Sequence, residues 1–373
     1  MKILLTGGGS GGHFYPLIAI AEELRRISKE ERLITPQLYY MAPEPYDERL
    51  LFDNEITYLP VTSGKLRRYF SFRNATDLMK TAWGILQAIV DVFRIFPDIV
   101  VGKGGYGSLP ALVAARLFNI PVLIHESDTV PGRVNQWAGK FARRISVSFS
   151  EAGAYFPSDK VAHTGNPIRR ALLEGVGDAS LLHLSGETKV IALFGGSLGA
   201  VHLNDALITI LPKLLDHYEV IHQTGKNNFE DIRARTGVLL DHHPFAGRYH
   251  PFPYLSTEMM RATGLVSDLI ISRAGSTIFE IASFGKPSIL IPIAESNGDH
   301  QRENAYVYMQ HGATLVIEEE NLQPAILLDE VVKILDNRER YKHLKDAALR
   351  FAKNDAAEVI AREILEMALK HEK

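Results

Sequence analysis

Residues 2–13, KILLTGGGSGGH, contain the transition that decides the fold. A short aliphatic run leads directly into a glycine-rich loop, which is typical of a buried strand that ends in a tight turn. Apolar residues then recur at helical spacing, at Leu17, Ile20, Ala21, Leu24 and Ile27. The stretch therefore predicts a strand, a glycine turn and an amphipathic helix, in that order.

The same order of features returns further along the chain. Apolar runs lead into glycine-rich loops at 98–108 (DIVVGKGGYGS), 188–200 (TKVIALFGGSLGA) and 267–277 (SDLIISRAGST). Strands that alternate with helices predict an α/β fold with a doubly wound parallel sheet. Because the second half begins the pattern again, we predict two such domains, joined near residues 165–167 (GNP). Ligands of these sheets bind at the carboxyl ends of the strands, so we expect the working cleft between the domains.

The composition is that of a globular protein without a strong charge. Of the 373 residues, 46% are hydrophobic and 23% are charged, and the formal net charge is −3. Such a chain has no general attraction for polyanions, so we expect no nucleic-acid partner. There is no cysteine, which excludes disulfides and thiolate nucleophiles and favours the cytoplasm. We expect no signal peptide and no membrane span, since the longest apolar run, 81–93, is short and contains Asp91.

The first glycine loop matches a known fingerprint. Gly7, Gly9 and Gly12 have the spacing G-x-G-x-x-G, which binds dinucleotides between a strand and a helix. That fingerprint also needs an acid after the second strand, and the one candidate, Glu44, lies between two prolines. Four equivalent glycine loops instead favour phosphate-rich substrates, because glycine lets backbone N–H groups approach an anion. A dinucleotide-dependent oxidoreductase or nucleotide-binding module is one alternative, and glycines that serve only the turns are another.

Four polar residues are candidates for chemistry. His13 is a candidate general base, because a helix N-terminus favours the neutral imidazole, and a capping or core histidine is the alternative. Glu280 follows the glycine loop SRAGST on the next predicted helix and can accept two hydrogen bonds from a ribose diol. Gln301 and Asn304 lie three apart on one helix face and have amides suited to sugar hydroxyls. For these last three, ordinary surface polarity is the alternative.

The sequence also bears on metals. No D-x-D motif occurs in the chain, although clustered carboxylates usually hold the metal that bridges a nucleotide diphosphate. We therefore expect no metal and no cofactor. In that case the phosphate charge is neutralised by helix ends and by Arg169.

A basic and aromatic segment at 65–96 differs from the rest of the first domain. It contains six basic and two acidic residues, interleaved with aromatic ones. The residues that we assign to this membrane patch are Arg67, Arg68, Phe70, Phe72 and Trp83. This composition suits docking on an anionic membrane surface, while an amphipathic helix packed on the sheet is the alternative.

Taken together, the motifs resemble those of the MurG family, bacterial N-acetylglucosaminyltransferases of glycosyltransferase family 28. The matching motifs are, in order, TGGGSGGH, GKGGYGSLPALVAA, HESDTVPGRVNQWAGKFA, TGNPIR, FGGSLGA, HQTGK, SRAGSTIFEIASFGKPSILIPI and DHQRENA. The resemblance implies a GT-B fold of two Rossmann-like domains. It implies an acceptor- and membrane-facing domain at 1–164, a UDP-N-acetylglucosamine-binding domain at 165–354, and a last helix at 355–373 that packs back on the first domain.

The resemblance also implies a reaction. Members of the family transfer N-acetylglucosamine from UDP-N-acetylglucosamine to the 4-hydroxyl of undecaprenyl-diphosphoryl-N-acetylmuramoyl-pentapeptide (lipid I), with inversion, to give lipid II of peptidoglycan synthesis. The implied partners are the donor, lipid I, an anionic membrane surface on the cytoplasmic face, and proteins of cell-wall synthesis or division. Another UDP-N-acetylglucosamine enzyme of this architecture, such as the 2-epimerase, is the alternative, and it would need neither a lipid acceptor nor the basic and aromatic segment.

The resemblance assigns roles to matching residues. Two residues, His13 and Glu126, become candidates for the base. Residues that it assigns to the donor are Ser10, Gly11, Gly12, Asp128, Arg169, Gly196, Ser197, Gly275, Ser276, Thr277, Glu280, Gln301 and Asn304. Those that it assigns to the loops around the acceptor diphosphate are Gly9, Gly104, Gly105 and Tyr106.

Three departures from the family pattern concern the placement of the sugar. HESD stands at 125–128 where the family usually has HEQN, so Asp128 can only accept hydrogen bonds where an asparagine also donates. Leu198 replaces a common glutamine, and the 273–280 segment is one residue shorter before its glutamate. We expect these changes to alter the fine placement of the sugar and to leave the reaction class intact.

Overall fold

The computed structural model describes residues 1–64, 73–175, 177–196, 200–293 and 299–371. They form two compact units, one of Met1–Arg170 with Lys353–Lys373 and one of Ala171–Ala352. Each unit contains a parallel sheet with helices. The prediction of an α/β fold with two parallel-sheet domains is therefore confirmed.

The first unit is built on a seven-stranded sheet within the described residues. Its strands are β1 (Lys2–Thr6), β2 (Gln37–Ala42), β3 (Ile56–Pro60), β4 (Ile99–Gly102), β5 (Val122–Glu126), β6 (Arg144–Val147) and β7 (Val161–His163). They lie in the order β3-β2-β1-β4-β5-β6-β7, and all neighbours are parallel. Its helices are α1 (Gly11–Glu30), α2 (Glu48–Asp53), α3 (Arg73–Ile95), α4 (Leu109–Leu117) and α5 (Arg133–Gly139). The strand order reverses at β1, which is where sheets of this kind bind their ligands.

Burial explains why the chain begins with a strand. Ile3, Leu4 and Leu5 are fully buried. Ile3 and Leu5 pack with Leu17 of α1 in one core cluster, whereas Leu4 belongs to the cluster on the other face. Both faces of β1 are thus covered, as expected for a parallel sheet between helical layers.

The second unit repeats this architecture with a six-stranded sheet among the residues that the structure describes. Its strands are β8 (Lys189–Phe194), β9 (Tyr218–Gln223), β10 (Tyr249–Phe252), β11 (Leu269–Ser272), β12 (Ser288–Leu290) and β13 (Thr314–Val316), in the order β10-β9-β8-β11-β12-β13. After α6 (Arg170–Leu173), which crosses the boundary, its helices are α7 (Val201–Leu215), α8 (Phe229–Leu239), α9 (Thr257–Val266), α10 (Thr277–Phe284), α11 (His300–Gln310), α12 (Pro324–Asp336) and α13 (Arg338–Phe351). Strand order again reverses at the first strand, β8.

The chain leaves the first unit later than the expected boundary after residue 164. The unit extends to Arg170. The TGNPIR segment is tied to the first sheet, where Nε2 of His125 lies 3.1 Å from the carbonyl oxygen of Gly165. Gly165 also packs so closely that a Cβ there would lie 2.6 Å from the Cβ of Lys353, the residue at which the chain re-enters the unit.

The last helix, α14 (Ala356–His371), belongs to the first unit. Its apolar side chains in the core cluster of β1 and α1 are Ile360, Ala361, Ile364, Leu365, Met367 and Ala368. Ion pairs join its polar side to the same unit, with Arg362 Nη1 2.6 Å from Glu31 Oε1 and Arg144 Nε 2.8 Å from Glu363 Oε1. The C-terminal helix therefore completes the core that the N-terminal strand begins.

Candidate active site

Three loops lie together at the carboxyl end of the first sheet. They follow β1, β4 and β5, which are adjacent in the sheet. Neighbouring parallel strands end at the same edge, so the glycine loops TGGGSGGH and GKGGYGS meet the HESD loop there. This edge brings together the first-unit residues that the resemblance assigned to the site from these three loops, while Arg169 lies outside them in the TGNPIR segment.

The two glycine loops pack backbone against backbone. A Cβ on Gly8 would lie 2.8 Å from the Cα of Gly107, and a Cβ on Gly9 would lie 2.9 Å from Cε1 of Tyr106. Gly9 also has a φ of +79°, which side chains rarely adopt. Glycine is therefore required here by close approach and by backbone conformation. The ring of Tyr106 packs against Gly9 of the first loop.

His13 lies in the first turn of α1, with its imidazole between Ser10 and Gly105. Nδ1 is 2.9 Å from Oγ of Ser10, whose side chain makes this contact and does not cap the helix. When Nδ1–H donates to Oγ, the lone pair of the imidazole is on Nε2. A Cβ on Gly105, whose φ is +78°, would lie 3.3 Å from Nε2, so a side chain there would crowd that nitrogen. Gly11 and Gly12 begin α1, where backbone N–H groups have no partner within a helix.

Glu126 ends β5 and is 4% exposed. Oε1 accepts hydrogen bonds from the backbone N–H groups of Ser127 (2.9 Å) and Asp128 (3.1 Å). Oε2 accepts from the N–H of Gly132 (3.0 Å) and from Nδ2 of Asn135 (2.9 Å). Burial raises the pKa of Glu126, and the Asp128 carboxylate raises it further. Both oxygens are thus engaged in closing the loop that carries Asp128, which is half-buried.

Lys103 is a charged residue of this edge that the sequence interpretation missed. It follows β4 directly and is only 2% exposed. The next residue, Gly104, has a φ of +82°, and a Cβ there would lie 2.8 Å from Nδ2 of Asn135. Burial lowers the pKa of Lys103 to about 8, and the carboxylates of Glu126 and Asp128 oppose that shift. The signal in the sequence was a lysine inside a glycine loop at the end of a fully apolar strand.

Arg169, assigned to the donor phosphates, is buried in the first unit. Its guanidinium carbon lies 4.5 Å from the centroid of the Tyr15 ring, a cation–π contact. Nε has no hydrogen-bond partner among the described residues. Burial raises the pKa of Glu22, and the charge of Arg169 opposes this rise.

The glycine loops of the second unit follow β8 and β11, which are also adjacent. Gly196 has a φ of +77°. A Cβ on Gly196 or on Gly275 would meet no described atom within 4 Å, so both backbones border open space. Ser197 and the neighbouring departure Leu198 lie outside the described residues.

The loop after β11 leads into α10. Ser276 precedes the helix and makes no capping bond to it among the described residues, and Thr277 is its first residue. The first-turn N–H groups of such a helix favour an anion. Glu280 is half-buried, and it is an acidic residue in the first turn of this helix. No group of three or more His, Asp or Glu side chains arranged to hold a metal ion occurs in the described part of the chain.

The two amide residues of α11 have different environments. Asn304 is 1% exposed, and its Nδ2 donates to the carbonyl oxygen of Ala274 at 3.3 Å. Gln301 is half-buried, and its Oε1 accepts from the N–H of Ile293 at 3.2 Å. Asn304 therefore supports the SRAGST loop from inside, whereas Gln301 lies nearer the surface.

Helix α3 has apolar side chains on two sides. Ala88 and Val92 are buried in the core of the first unit. Trp83 is 60% exposed and Phe93 is 66% exposed. The exposed apolar side chains of α3 are Leu78, Met79, Trp83, Leu86, Val90 and Phe93. Arg67, Arg68, Phe70 and Phe72 lie outside the described residues, and every helix within those residues is too short or too polar to cross a membrane.

Two family models match the chain, one for each sheet. The model of the glycosyltransferase family 28 N-terminal domain matches residues 3–147, and that of the family 28 C-terminal domain matches residues 190–360. The chain belongs to glycosyltransferase family 28. The first matched range contains the loop TGGGSGGH, and the second contains SRAGST.

Curated relatives of the chain have the name UDP-N-acetylglucosamine–N-acetylmuramyl-(pentapeptide) pyrophosphoryl-undecaprenol N-acetylglucosamine transferase. The protein of this name from Lachnospira eligens is 38% identical over 345 residues, which is 91% of this chain and 92% of the relative. The one from Clostridium kluyveri is 35% identical over 367 residues, 96% of this chain and 98% of the relative. The resemblance to the MurG family is confirmed by these relatives.

Solved structures agree on the fold. The crystal structure of MurG from Acinetobacter baumannii covers 98% of this family 28 chain and 100% of its own, with a TM-score of 0.73 and 26% identity. The UDP-N-acetylglucosamine 2-epimerase from Neisseria meningitidis, bound to UDP-N-acetylglucosamine, has a TM-score of 0.71 over 98% of this chain and 100% of its own. Its identity is 16%, so that likeness concerns the fold alone. The GT-B fold class is confirmed.

Proposed function

We propose that this chain transfers N-acetylglucosamine from UDP-N-acetylglucosamine to lipid I, forming lipid II in peptidoglycan synthesis. The observation that carries the proposal is the identity of 35–38% with curated transferases of that name over 91–96% of the chain. The chemistry of the first-unit edge agrees with it, because a positioned imidazole lies beside glycine loops that can approach a diphosphate.

We propose His13 as the general base. The acceptor 4-hydroxyl oxygen forms a bond to the anomeric carbon while the bond from that carbon to the diphosphate oxygen breaks, with inversion. The hydroxyl proton passes to Nε2 of His13, and UDP leaves as an anion. Glu126 is the weaker candidate, because four hydrogen bonds engage both of its oxygens.

The leaving diphosphate needs positive potential, and we propose that it comes from the protein without a metal ion. On the donor side, the N-terminal N–H groups of α10, the open backbones at Gly196 and Gly275, and the Arg169 guanidinium supply it. Ser197 joins them by the resemblance. On the acceptor side, the glycine loops with Gly9, Gly104 and Tyr106 supply backbone N–H groups.

We propose that the sugar and ribose are bound by hydroxyl-specific groups. Glu280 accepts from the ribose diol, and Gln301 binds hydroxyls of N-acetylglucosamine. Asn304 acts indirectly, through its bond to Ala274 in the SRAGST loop. The loops with Ser10, Gly11, Gly12 and Asp128 line the sugar from the first unit by the resemblance.

We propose that α3 and the segment before it bind the cytoplasmic face of an anionic membrane, where the lipid acceptor resides. The support is the row of exposed apolar side chains on α3, beside a segment whose sequence contains Arg67 and Arg68. Apolar insertion and attraction to anionic headgroups act together in such docking. Proteins of cell-wall synthesis or division are further partners that the family suggests.

The test is a direct assay. The pure protein is incubated with labelled UDP-N-acetylglucosamine and a short-chain lipid I analogue, with and without EDTA. We expect labelled disaccharide product in both conditions. Loss of product with EDTA would contradict the metal-free proposal. Formation of UDP-N-acetylmannosamine without any acceptor, and no disaccharide, would instead identify the 2-epimerase alternative.

A further inference from the structure

The ammonium group of Lys103 has no role in the mechanism described above. Nζ is buried and has no hydrogen-bond partner among the described residues. A hydrogen bond fixes the backbone of Lys103 itself, since its N–H donates to the carbonyl oxygen of Thr6 at 2.8 Å. Its Cβ lies 3.4 Å from where a Cβ on Gly7 would be, so the side chain begins between the two glycine loops. A buried amine is costly, and packing alone would be served better by methionine or leucine.

Two carboxylates of β5 and its loop act on Lys103. The carboxylates of Glu126 and Asp128 act on its charge. His125, on the same strand, is buried, and burial followed by the charge of Lys103 holds its pKa well below the usual range. On the side of α1 the titratable neighbour of these loops is His13, next to Gly105. The geometry links Lys103 to this loop, because Asn135, whose Nδ2 donates to Glu126 at 2.9 Å, packs against Gly104, the residue after Lys103.

We propose that Lys103 is a positioning residue, whose charge compensates Glu126 and Asp128 and so holds the loop 127–132 in the conformation that transfer requires. The catalytic part of this inference rests on the proposed function. Only an ionised Glu126 can accept four hydrogen bonds on its two oxygens without directing a proton at one of the donors. The loop that those bonds close carries Asp128, which the resemblance assigns to the donor.

Compensation also matters for the substrates. The acceptor diphosphate is proposed to bind the glycine loops of this edge, and carboxylates without a counter-charge would repel it. Glu126 is already neutralised in part by its four donors. Asp128 is the nearer carboxylate to solvent, because it is half-buried whereas Glu126 is buried.

The activity test compares Lys103→Met with the parent across pH 5.5–8. Loss of the cation raises the pKa of Glu126, so the acid limb of the kcat/KM profile is expected to move to higher pH, and the loss relative to the parent is expected to grow as the pH falls. Lys103→Arg should retain the parent profile better than Lys103→Met does. Lys140→Met, at an exposed site of the same unit, is the matched control.

A second substitution tests the partner. Asp128 raises the pKa of Glu126, so Asp128→Asn added to Lys103→Met should return the acid limb towards lower pH. Asp128→Asn alone should move the limb below that of the parent. This single variant also tests the proposal if Lys103→Met fails to fold.

A third measurement does not depend on transferase activity. The difference in melting temperature between Lys103→Met and the parent is followed from pH 5 to 7. Because the variant has the higher Glu126 pKa, its stability relative to the parent should fall as pH rises through that window. The melting temperatures can be measured even if the parent makes no disaccharide. Absence of disaccharide would count against the proposed function and not against the role of Lys103 in stabilising the loop.

The proposal is overturned by a specific pattern. A melting difference that is constant with pH, an activity loss that is equal at every pH, and no effect of Asp128→Asn on the acid limb would show that Lys103 only fills space. If Asp128→Asn alone did not move the acid limb of the kcat/KM profile, the proposed coupling between Asp128 and Glu126 would also be wrong.

Discussion

The imidazole of His13 contacts Ser10 through Nδ1, and its Nε2 lies beside Gly105. If Nε2 accepts the proton of the acceptor hydroxyl, His13→Ala should lower kcat by about 10²-fold or more. UDP affinity, measured by calorimetry, should stay close to that of the parent, because the donor phosphates are assigned to other residues. The control is His242→Ala at an exposed position. Turnover near the parent value would return His13 to a structural role.

Glu126 offers a contrasting test at the same edge. Glu126→Gln places an N–H₂ group opposite N–H donors, so two hydrogen bonds are lost and the unfolding free energy should fall by about 1–3 kcal/mol. The melting temperature measures this loss, with the exposed Glu151→Gln as the control. A variant that keeps the parent stability yet loses turnover would identify Glu126 as the base instead.

His222 of the second unit is predicted to make the protein sensitive to acid. Nδ1 lies 2.8 Å from the Tyr249 hydroxyl and Nε2 lies 3.0 Å from Oδ1 of Asn204, and burial lowers the pKa of His222 to about 3. The unfolded chain gains this proton near pH 6.5, so folding stability is lost as pH falls from there towards 3, by about 1.4 kcal/mol for each pH unit. His222→Gln should reduce that slope between pH 6.5 and 5 in urea unfolding. An unchanged slope would mean that other groups dominate.

At the scale of elements, α3 shows where a sequence pattern was ambiguous. The apolar positions of 73–95 are compatible with a core helix and with a membrane-binding helix. Ala88 and Val92 pack in a core cluster of the first unit, and the large side chains Trp83 and Phe93 stay exposed. Periodicity alone cannot separate these cases, because both faces of the helix are apolar.

The exposed face of α3 leads to a membrane prediction. Trp83→Ser combined with Phe93→Ser should lower partitioning onto phosphatidylglycerol vesicles by about tenfold or more, since each buried side chain contributes roughly 1.5–3 kcal/mol. Co-sedimentation measures the bound fraction. The matched control is Val238→Ser with Leu239→Ser, two exposed apolar residues of α8. Equal losses in both variants would argue against a specific membrane face.

The elements that the sequence predicted best are those with a local signal. KILLT, the following glycines and the helical spacing from Leu17 lie within one continuous stretch, and the structure forms β1 and α1 there. His13 could therefore be placed in the first turn of α1 from this stretch of sequence alone. Asn304 is different, because its burial against Ala274 depends on a loop 30 residues away in the chain.

At the scale of the whole molecule, α14 ties the end of the chain to its beginning. Ile364 is fully buried in the cluster of β1 and α1. Ile364→Ala should therefore lower the unfolding free energy of the first unit by about 2–5 kcal/mol. Thermal unfolding with the exposed Val359→Ala as control measures the effect. A loss no larger than that of the control would mean that the unit is stable without this helix.

The sequence by itself determined the strand, glycine turn and helix pattern, its repetition in two domains, and the family, because these are set by local order and by motifs. Only the tertiary structure decided which of those residues are free to react. Glu126 accepts hydrogen bonds from its own loop and from Asn135 of α5, Lys103 is buried between two glycine loops, and the TGNPIR segment and α14 belong to the first unit. Each depends on contacts between residues from separate elements, and burial in such contacts controls charge and hydrogen bonding in a way that spacing along the chain does not encode.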